Sequence, residues 1–416
     1  MTRYVVIGAG AIGAILAAQF QLAGIDVVLV ARGENLASIR SHGLTVRRPA
    51  FTETVQLEVV GSAVELELNH DDVLVLATKT QDVEAALSSW AWVAVRDASG
   101  EATLLGADLP ILTFQNGLST EDLALRRFAR VYGVSIGIAA SYLSPGEVVS
   151  PSYPVVGVAW LGRYAGSGAG GGAAAGARAD RGAGAGAVGA GGGAGAGASS
   201  GAGGGAGAGG GAGAGAAGAG GGGGAGAAGG GAGAGADAGS PTQPDEQQER
   251  YADDLRRAGY EIHSVPDIAP WKARKLLGNV VNGLDVLAAT NDERAEARSL
   301  VVAEARAVFE AAGVAVPDAA AIASAGGDGF SLKIEPVPGH TLGRLSTWQS
   351  FARGASSEVD YLNGEIVLIA RKAGLSAPLN ERLQRLLGAQ AQGGAAPGSV
   401  PISALYAGAE VAPVPV

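Results

Sequence analysis

Three polar side chains in the second half of the chain stand at a spacing suited to work on a small oxyanion. Lys275, Asn279 and Asn282 fall at i, i+4 and i+7, which puts them on one face of a predicted helix. Val280 and Val281 flank them, and amides in apolar surroundings are costly to bury without partners. A cation and two amides on one stripe suit a small oxyanionic ligand held in a cleft. A solvated helix face is the alternative, because Lys and Asn are commonly exposed.

The other end of the chain carries a phosphate-binding pattern. Gly8-Ala9-Gly10-Ala11-Ile12-Gly13 follows an apolar run at residues 4–7 and opens a helical stretch at 12–22 that Gly24 stops. Gly8 permits a tight turn, Gly10 lets the backbone approach a pyrophosphate, and Gly13 lets helix and strand pack closely. The helix N-terminus offers free N–H groups to the phosphates. The next run, 26–30, leads to Arg32 where an NAD site would carry Asp or Glu. A guanidinium suits a 2′-phosphate and therefore NADP; a surface pairing with Glu34 is the alternative.

Four further residues join the candidate set. Lys79 and Asn116 each stand just past an apolar run, where open α/β sheets place their ligands. Lys79 could meet a cofactor phosphate or ribose, and Asn116 the nicotinamide end or the substrate; an Asn-Gly turn alone also explains Asn116. Ser346 stands in N-cap position of a predicted helix spanning 345–373. Glu358 lies later in that helix and could face the reacting group, or be a surface carboxylate.

Elements able to position these groups are legible from patterning. Residues 4–7, 26–30, 73–77, 111–114 and 131–138 read as strands without polar alternation, as in a parallel sheet buried on both faces. From Tyr251 onward the spacing turns helical, over 269–289, 293–312 and 345–373, with Gly313 and Gly374 as stops. The expected organisation is a Rossmann-type domain at 1–163, a Gly/Ala-rich disordered insert at 164–249, an all-helical catalytic domain at 250–388 and a disordered tail at 389–416.

Composition narrows the classes. Of 416 residues 70 are Gly, most of the excess falling in the insert, which has no large side chains with which to build a core. The absence of Cys removes disulfides and thiolate zinc sites, and the four His have no metal-ligand spacing. A net charge of −10 without a basic run argues against nucleic acid. Mean hydropathy of +0.23 reflects Ala and Gly rather than an apolar span of membrane length. The start, Met1-Thr2-Arg3-Tyr4, does not read as a signal peptide, so the expected setting is cytoplasmic.

In order, Gly8-Ala9-Gly10-Ala11-Ile12-Gly13, Lys79 after a strand, Gln115-Asn116-Gly117, Lys275-x-x-x-Asn279 and Glu358-Val359-Asp360-Tyr361-x-Asn363-Gly364 resemble the signatures of the ketopantoate reductases (2-dehydropantoate 2-reductases). The resemblance covers residues 1–163 and 250–388. It implies NADPH-dependent reduction of a 2-keto acid, most directly ketopantoate to pantoate in pantothenate biosynthesis. Lys275 takes the general-acid position and Glu358 the position near the ribose and the lysine. Lys79 and Asn116 take cofactor and substrate contacts, and Asn279 and Ser346 substrate contacts. The family's second helix asparagine falls at Gly283, with the amide one residue earlier at Asn282. A homodimer is the candidate assembly. Two alternatives stay open: the same fold acting on another keto acid or keto ester, and a non-catalytic NADP-binding sensor.

Overall fold

Apolar runs without alternation need cover on both faces, and they receive it. The computed structural model describes residues 2–97, 99–165, 243–326, 332–340, 343, 345–354 and 357–407. The strands are β1 (Arg3–Ile7), β2 (Asp26–Val30), β3 (Glu58–Val60), β4 (Asp72–Leu76), β5 (Ile111–Thr113) and β6 (Val131–Gly137). They lie parallel in the order β3-β2-β1-β4-β5-β6. This is the doubly wound order whose ligand crevice opens beyond the carboxyl ends of β1 and β4. β7 (Val158–Arg163) runs antiparallel to β6, and β8 (Glu261–Asp267) closes the far edge parallel to β7.

Helices α1 (Ala11–Leu22), α2 (Gly33–His42), α3 (Val83–Ala91), α4 (Ser119–Leu125) and α5 (Glu246–Arg257) surround this sheet. On one face Phe20 of α1 and Tyr251 of α5 pack with Tyr4 and Tyr132. On the other, Trp90 of α3 and Ala124 of α4 share a core with Leu74, Ile111 and Trp160. The chain then becomes helical: α6 (Ala269–Asn279), α7 (Asn291–Ala311), α8 (Ala319–Ser324), α9 (Ser346–Ala352), α10 (Asn363–Lys372) and α11 (Pro378–Gln392). Leu276, Val301, Ile366, Leu383 and Leu387 form their separate core. The fold is thus a Rossmann-type α/β sheet followed by a helical C-terminal region.

Several boundaries differ from the sequence reading. Most of the Gly/Ala segment, 166–242, lies outside the described residues. Its expected margins are structured: the Tyr164 hydroxyl donates to Asp122 at 2.8 Å, and Asp245 caps α5 through the Gln248 N–H. The helical region does not begin at 250, because α5 and β8 complete the N-terminal sheet. β8 escaped notice because its edge position leaves Glu261, His263 and Asp267 half-buried and mixes polar with apolar residues.

Two long predicted helices are each interrupted. α6 ends at Asn279 and gives way to a 3-10 turn at Asn282–Val286. The 345–373 stretch splits into α9 and α10, with Gly354 at φ +62° after α9 and a 3-10 turn at Val359–Tyr361. The expected tail is corrected over residues 389–407, where α11 continues to Gln392 and a 3-10 turn at Ile402–Leu405 buries both terminal residues in the helical core; residues 408–416 lie outside the described residues. Two well-placed side chains suffice to anchor a segment whose Ala, Gly and Pro content reads as structureless. No helix among the described residues is long and apolar enough to cross a membrane.

If the last turn is part of the core, Leu405→Ala should lower unfolding stability by about 2–5 kcal/mol, the usual range for a buried leucine. Urea denaturation measures this, and a loss below about 0.5 kcal/mol, typical of surface changes, would return the segment to the status of a tail.

Candidate active site

The glycine loop is dictated by close backbone approach. Gly8 turns with φ +112°, and a Cβ there would lie 2.9 Å from the Thr78 N. At Gly13 a Cβ would fall 1.9 Å from the Gly8 carbonyl oxygen, whereas at Gly10 it would meet nothing within 4 Å. Gly8 and Gly13 are therefore required by packing, and Gly10 leaves an open approach. Gly10 N-caps α1 without a side-chain bond, so the N–H groups of Ala11, Ile12 and Gly13 stand at a helix end suited to an anion. Ala9 is fixed from behind: Asn35 Nδ2 donates to its carbonyl at 2.9 Å, while Asn35 Oδ1 accepts from the Gly146 N–H at 2.8 Å. Arg32 is exposed at the end of β2, N-capping α2, and no ion pair joins it to Glu34. The open loop, the bare helix end and the exposed cation fit a dinucleotide.

A second centre forms where α6 meets the ends of β5 and α4. Lys272, 3% exposed, lies 2.5 Å from the Glu121 carboxylate, itself 1% exposed. Its ammonium also donates to the Gln115 carbonyl at 2.8 Å. Thr113 Oγ1 donates to the same Glu121 oxygen at 2.6 Å. Gln115, expected only as part of a motif, is structural: its Nε2 donates to the carbonyls of Leu76 and Thr78 at 2.9 and 3.0 Å, tying β5 to the end of β4.

The predicted polar residues gather beside this pair. Asn279 Nδ2 donates to Asn116 Oδ1 at 3.2 Å. Gly117 (φ +84°) lets the Asn-Gly turn pass under Tyr361, since a Cβ would sit 2.5 Å from the Tyr361 carbonyl. Glu358 Oε1 accepts from Thr80 Oγ1 at 3.0 Å and from the Thr80 N–H at 3.3 Å, and Thr80 Oγ1 also reaches the Asn116 carbonyl at 3.3 Å. Lys79 Nζ donates to Ser350 Oγ at 3.2 Å; burial lowers its pKa, opposed by Glu358.

Lys275 is half-buried on α6 and has no hydrogen-bond partner among the described residues. Burial depresses its pKa to about 7, helped by the neighbouring Lys272 cation and opposed by Glu358 and then Glu121. The carboxylate thus acts in the expected direction, but desolvation outweighs it. Such a group exchanges a proton readily at neutral pH.

Three expectations change. Ser346 does not cap its helix: Leu345 is the N-cap, and Ser346 is an exposed first-turn residue whose carbonyl accepts from Ser350 Oγ at 3.1 Å. Ser350, not Ser346, reaches Lys79. Glu358 lies between helices rather than within one, which frees its side chain to bend back to Thr80. Asn282 is buried, but in the 3-10 turn beyond α6, so it does not continue the Lys275–Asn279 face. At Gly283 a Cβ would fall 2.3 Å from Leu387 Cδ1, so a side chain there would require that leucine tip to shift.

Sequence reading missed Thr80, Ser350, Asn35 and the Lys272–Glu121 pair, none of which stands in a motif that signals its partner. A cavity of about 380 Å³ lined by Arg274, Leu277, Gly278 and Val281 takes in none of the side chains described above. Arg274 and Leu277 sit about 100° or more around α6 from Lys275 and Asn279, and Val281 lies beyond the end of the helix.

Comparison with known proteins bears directly on this arrangement. The family described as Ketopantoate reductase PanE/ApbA matches residues 4–164, and Ketopantoate reductase PanE/ApbA C terminal matches residues 267–391. A 2-dehydropantoate 2-reductase from Mesorhizobium japonicum is 34% identical over 117 residues, 28% of this chain and 32% of that protein. The match therefore spans about a third of that relative's length. Among solved structures, a PanE/ApbA family ketopantoate reductase from Ralstonia eutropha JMP134 superposes with a TM-score of 0.59 at 17% identity, covering 95% of this chain and 99% of its own. A D-mandelate dehydrogenase solved with NADH and anilino(oxo)acetate gives 0.61 at 18%, covering 95% and 99%. At such identities the likeness concerns the fold. With both parts of the family matched around a glycine loop and a lysine–asparagine face, the chain belongs to the ketopantoate reductase family.

Proposed function

We propose that this protein reduces a 2-keto acid to the 2-hydroxy acid with NADPH, and that 2-dehydropantoate is its substrate, giving pantoate for pantothenate biosynthesis. The observation that carries the reading is the contrast between two lysines one helical turn apart. Lys272 is locked in an ion pair, whereas Lys275 is half-buried, has no hydrogen-bond partner among the described residues and is pushed down to about 7 beside the Asn116–Asn279 pair.

The first-turn N–H groups of α1 and the open side of Gly10 would hold the pyrophosphate, and Arg32 a 2′-phosphate. The chemistry that a reduced nicotinamide held there would supply is hydride for the keto carbon. Asn116 and Asn279 orient the keto acid. Lys275 as ammonium stabilises the charge that grows on the carbonyl oxygen and passes its proton to it. Glu358, fixed by Thr80, favours the protonated state of Lys275 from the far side. Lys79, steadied by Ser350, presents a cation to the cofactor or to the substrate carboxylate.

A second reading keeps this chemistry and changes the substrate. Gly283 supplies no amide where the family carries one, which removes one polar contact for the substrate side chain and favours a less polar keto acid. The mandelate dehydrogenase among the structural neighbours gives an aryl keto acid such as phenylglyoxylate as the natural comparison. NADPH oxidation assayed with ketopantoate and with phenylglyoxylate separates the two by their kcat/KM values, and no turnover of either would overturn both.

Three outcomes are expected. Lys275→Ala should bind NADPH as the parent does yet lose at least about 100-fold in kcat, the usual scale for a general acid; near-parental turnover removes Lys275 from the mechanism. The ammonium is the donor, so its active fraction falls as pH rises through its pKa. The kcat/KM for reduction should therefore be level below about 7 and drop tenfold per pH unit above it; a flat profile across that range is the contrary result. Arg32→Asp should weaken NADPH relative to NADH by tenfold or more, about 1.4 kcal/mol, in a fluorescence titration; an unchanged ratio denies Arg32 the phosphate role.

A further inference from the structure

The tie between Lys272 and Glu121 has a geometry that bears on its neighbour. Lys272 and Lys275 stand at i and i+3, adjacent on the surface of α6. Lys272 reaches the Glu121 carboxylate and the Gln115 carbonyl at 2.5 and 2.8 Å. Asn279, one turn beyond Lys275, reaches Asn116 at 3.2 Å. The two ties to consecutive residues, 115 and 116, therefore bracket Lys275 along the helix. Glu121 is itself held by Thr113, the last residue of β5, so the bracket is anchored in the sheet.

We infer that the Lys272–Glu121 pair is a positioning device for Lys275, one that pins its helical turn against the strand end carrying Asn116 and keeps a second cation beside its amine. This rests on the reading of Lys275 as proton donor. Four charged groups form the setting: Lys272 on the same helix, Glu121 from α4, Glu358 from the segment before Val359–Tyr361, and Lys79, which shares Glu358. The pair is neutral in sum but not in effect. The Lys272 cation disfavours the proton on Lys275 more than Glu121 favours it, so the pair adds to burial in making Lys275 a ready donor.

The test removes both charges at once, because a lone buried ion would confuse the result. In the double variant Lys272→Met with Glu121→Gln, the glutamine amide can still accept from Thr113. Two quantities are read on the full chain: the pH dependence of kcat/KM, and the pH midpoint for trinitrophenylation of Lys275, followed by peptide mass spectrometry without substrate or cofactor. Both should move upward by half to one pH unit, on the order expected for losing a nearby like charge. At about pH 8 the double variant should then retain three- to fivefold more of its own plateau activity than the parent does. Lys272→Met alone should shift the midpoint in the same direction and serves if the double variant does not fold.

A loss of kcat at every pH with both midpoints unmoved would reduce the pair to a structural tie and overturn the inference. Failure of the parent reading looks different: Lys275→Ala would keep its turnover, while the modification midpoint of Lys275 in the other variants would still report whether the pair acts on it.

Discussion

An ammonium group driven into the seam between a sheet and a helix must find a partner, and the site follows from where Lys272 finds it. Leaving such a charge uncompensated costs about 3–5 kcal/mol, so the pair with Glu121 admits little freedom. Glu121 sits on α4 and is held by Thr113 at the end of β5; Lys272 also takes the Gln115 carbonyl. The requirement that one cation be satisfied thus fixes the start of the helical region against the carboxyl end of the sheet. Once α6 is seated there, Asn279 meets Asn116 and Lys275 is committed to the same side.

The opposite half of the site depends on close packing rather than charge. Gly8 packs against the backbone of Ala77 and Thr78, and Gly13 against Gly8, so closely that neither tolerates a Cβ, and the turn they form leaves the first N–H groups of α1 without intrahelical partners. Asn35 then ties the loop to the neighbouring four-stranded sheet through the Gly146 N–H. Here a helix end open to an anion arises from backbone geometry, and there a lysine with a lowered pKa from burial and a neighbouring cation. The sheet's strand order brings the two to the same edge.

What could be read from the sequence divides along the same line. The glycine loop, strands β1 and β2 and the Lys275–Asn279 spacing are local patterns, set by turns and periodicity within a few residues, and they were legible. Thr80 with Glu358, Lys79 with Ser350 and Lys272 with Glu121 pair residues more than 100 positions apart, and nothing local signals them. The helix expected at 345–373 is interrupted for a physical reason: Gly354, at φ +62°, follows the end of α9, and a 3-10 turn at Val359–Tyr361 precedes α10. The Ser346 cap failed for a related reason. A serine just ahead of an apolar run is a sound helix-start signal, but the helix begins at Ser346 itself, with Leu345 as cap.

Lys275 shows why inventories of charge do not predict reactivity. Two lysines and two glutamates converge near the reacting position, and by count their charges cancel. Glu121 is engaged by Lys272 and Thr113, and Glu358 by Thr80, so each carboxylate is held by another group rather than by Lys275. Both still attract its proton, yet burial and the nearer Lys272 prevail, and the amine falls to about 7. Had either carboxylate bonded directly to Lys275, the ammonium would be stabilised and slow to release its proton. The arrangement leaves the proton mobile because, among the described residues, the two carboxylates that act on it are each bonded to another group.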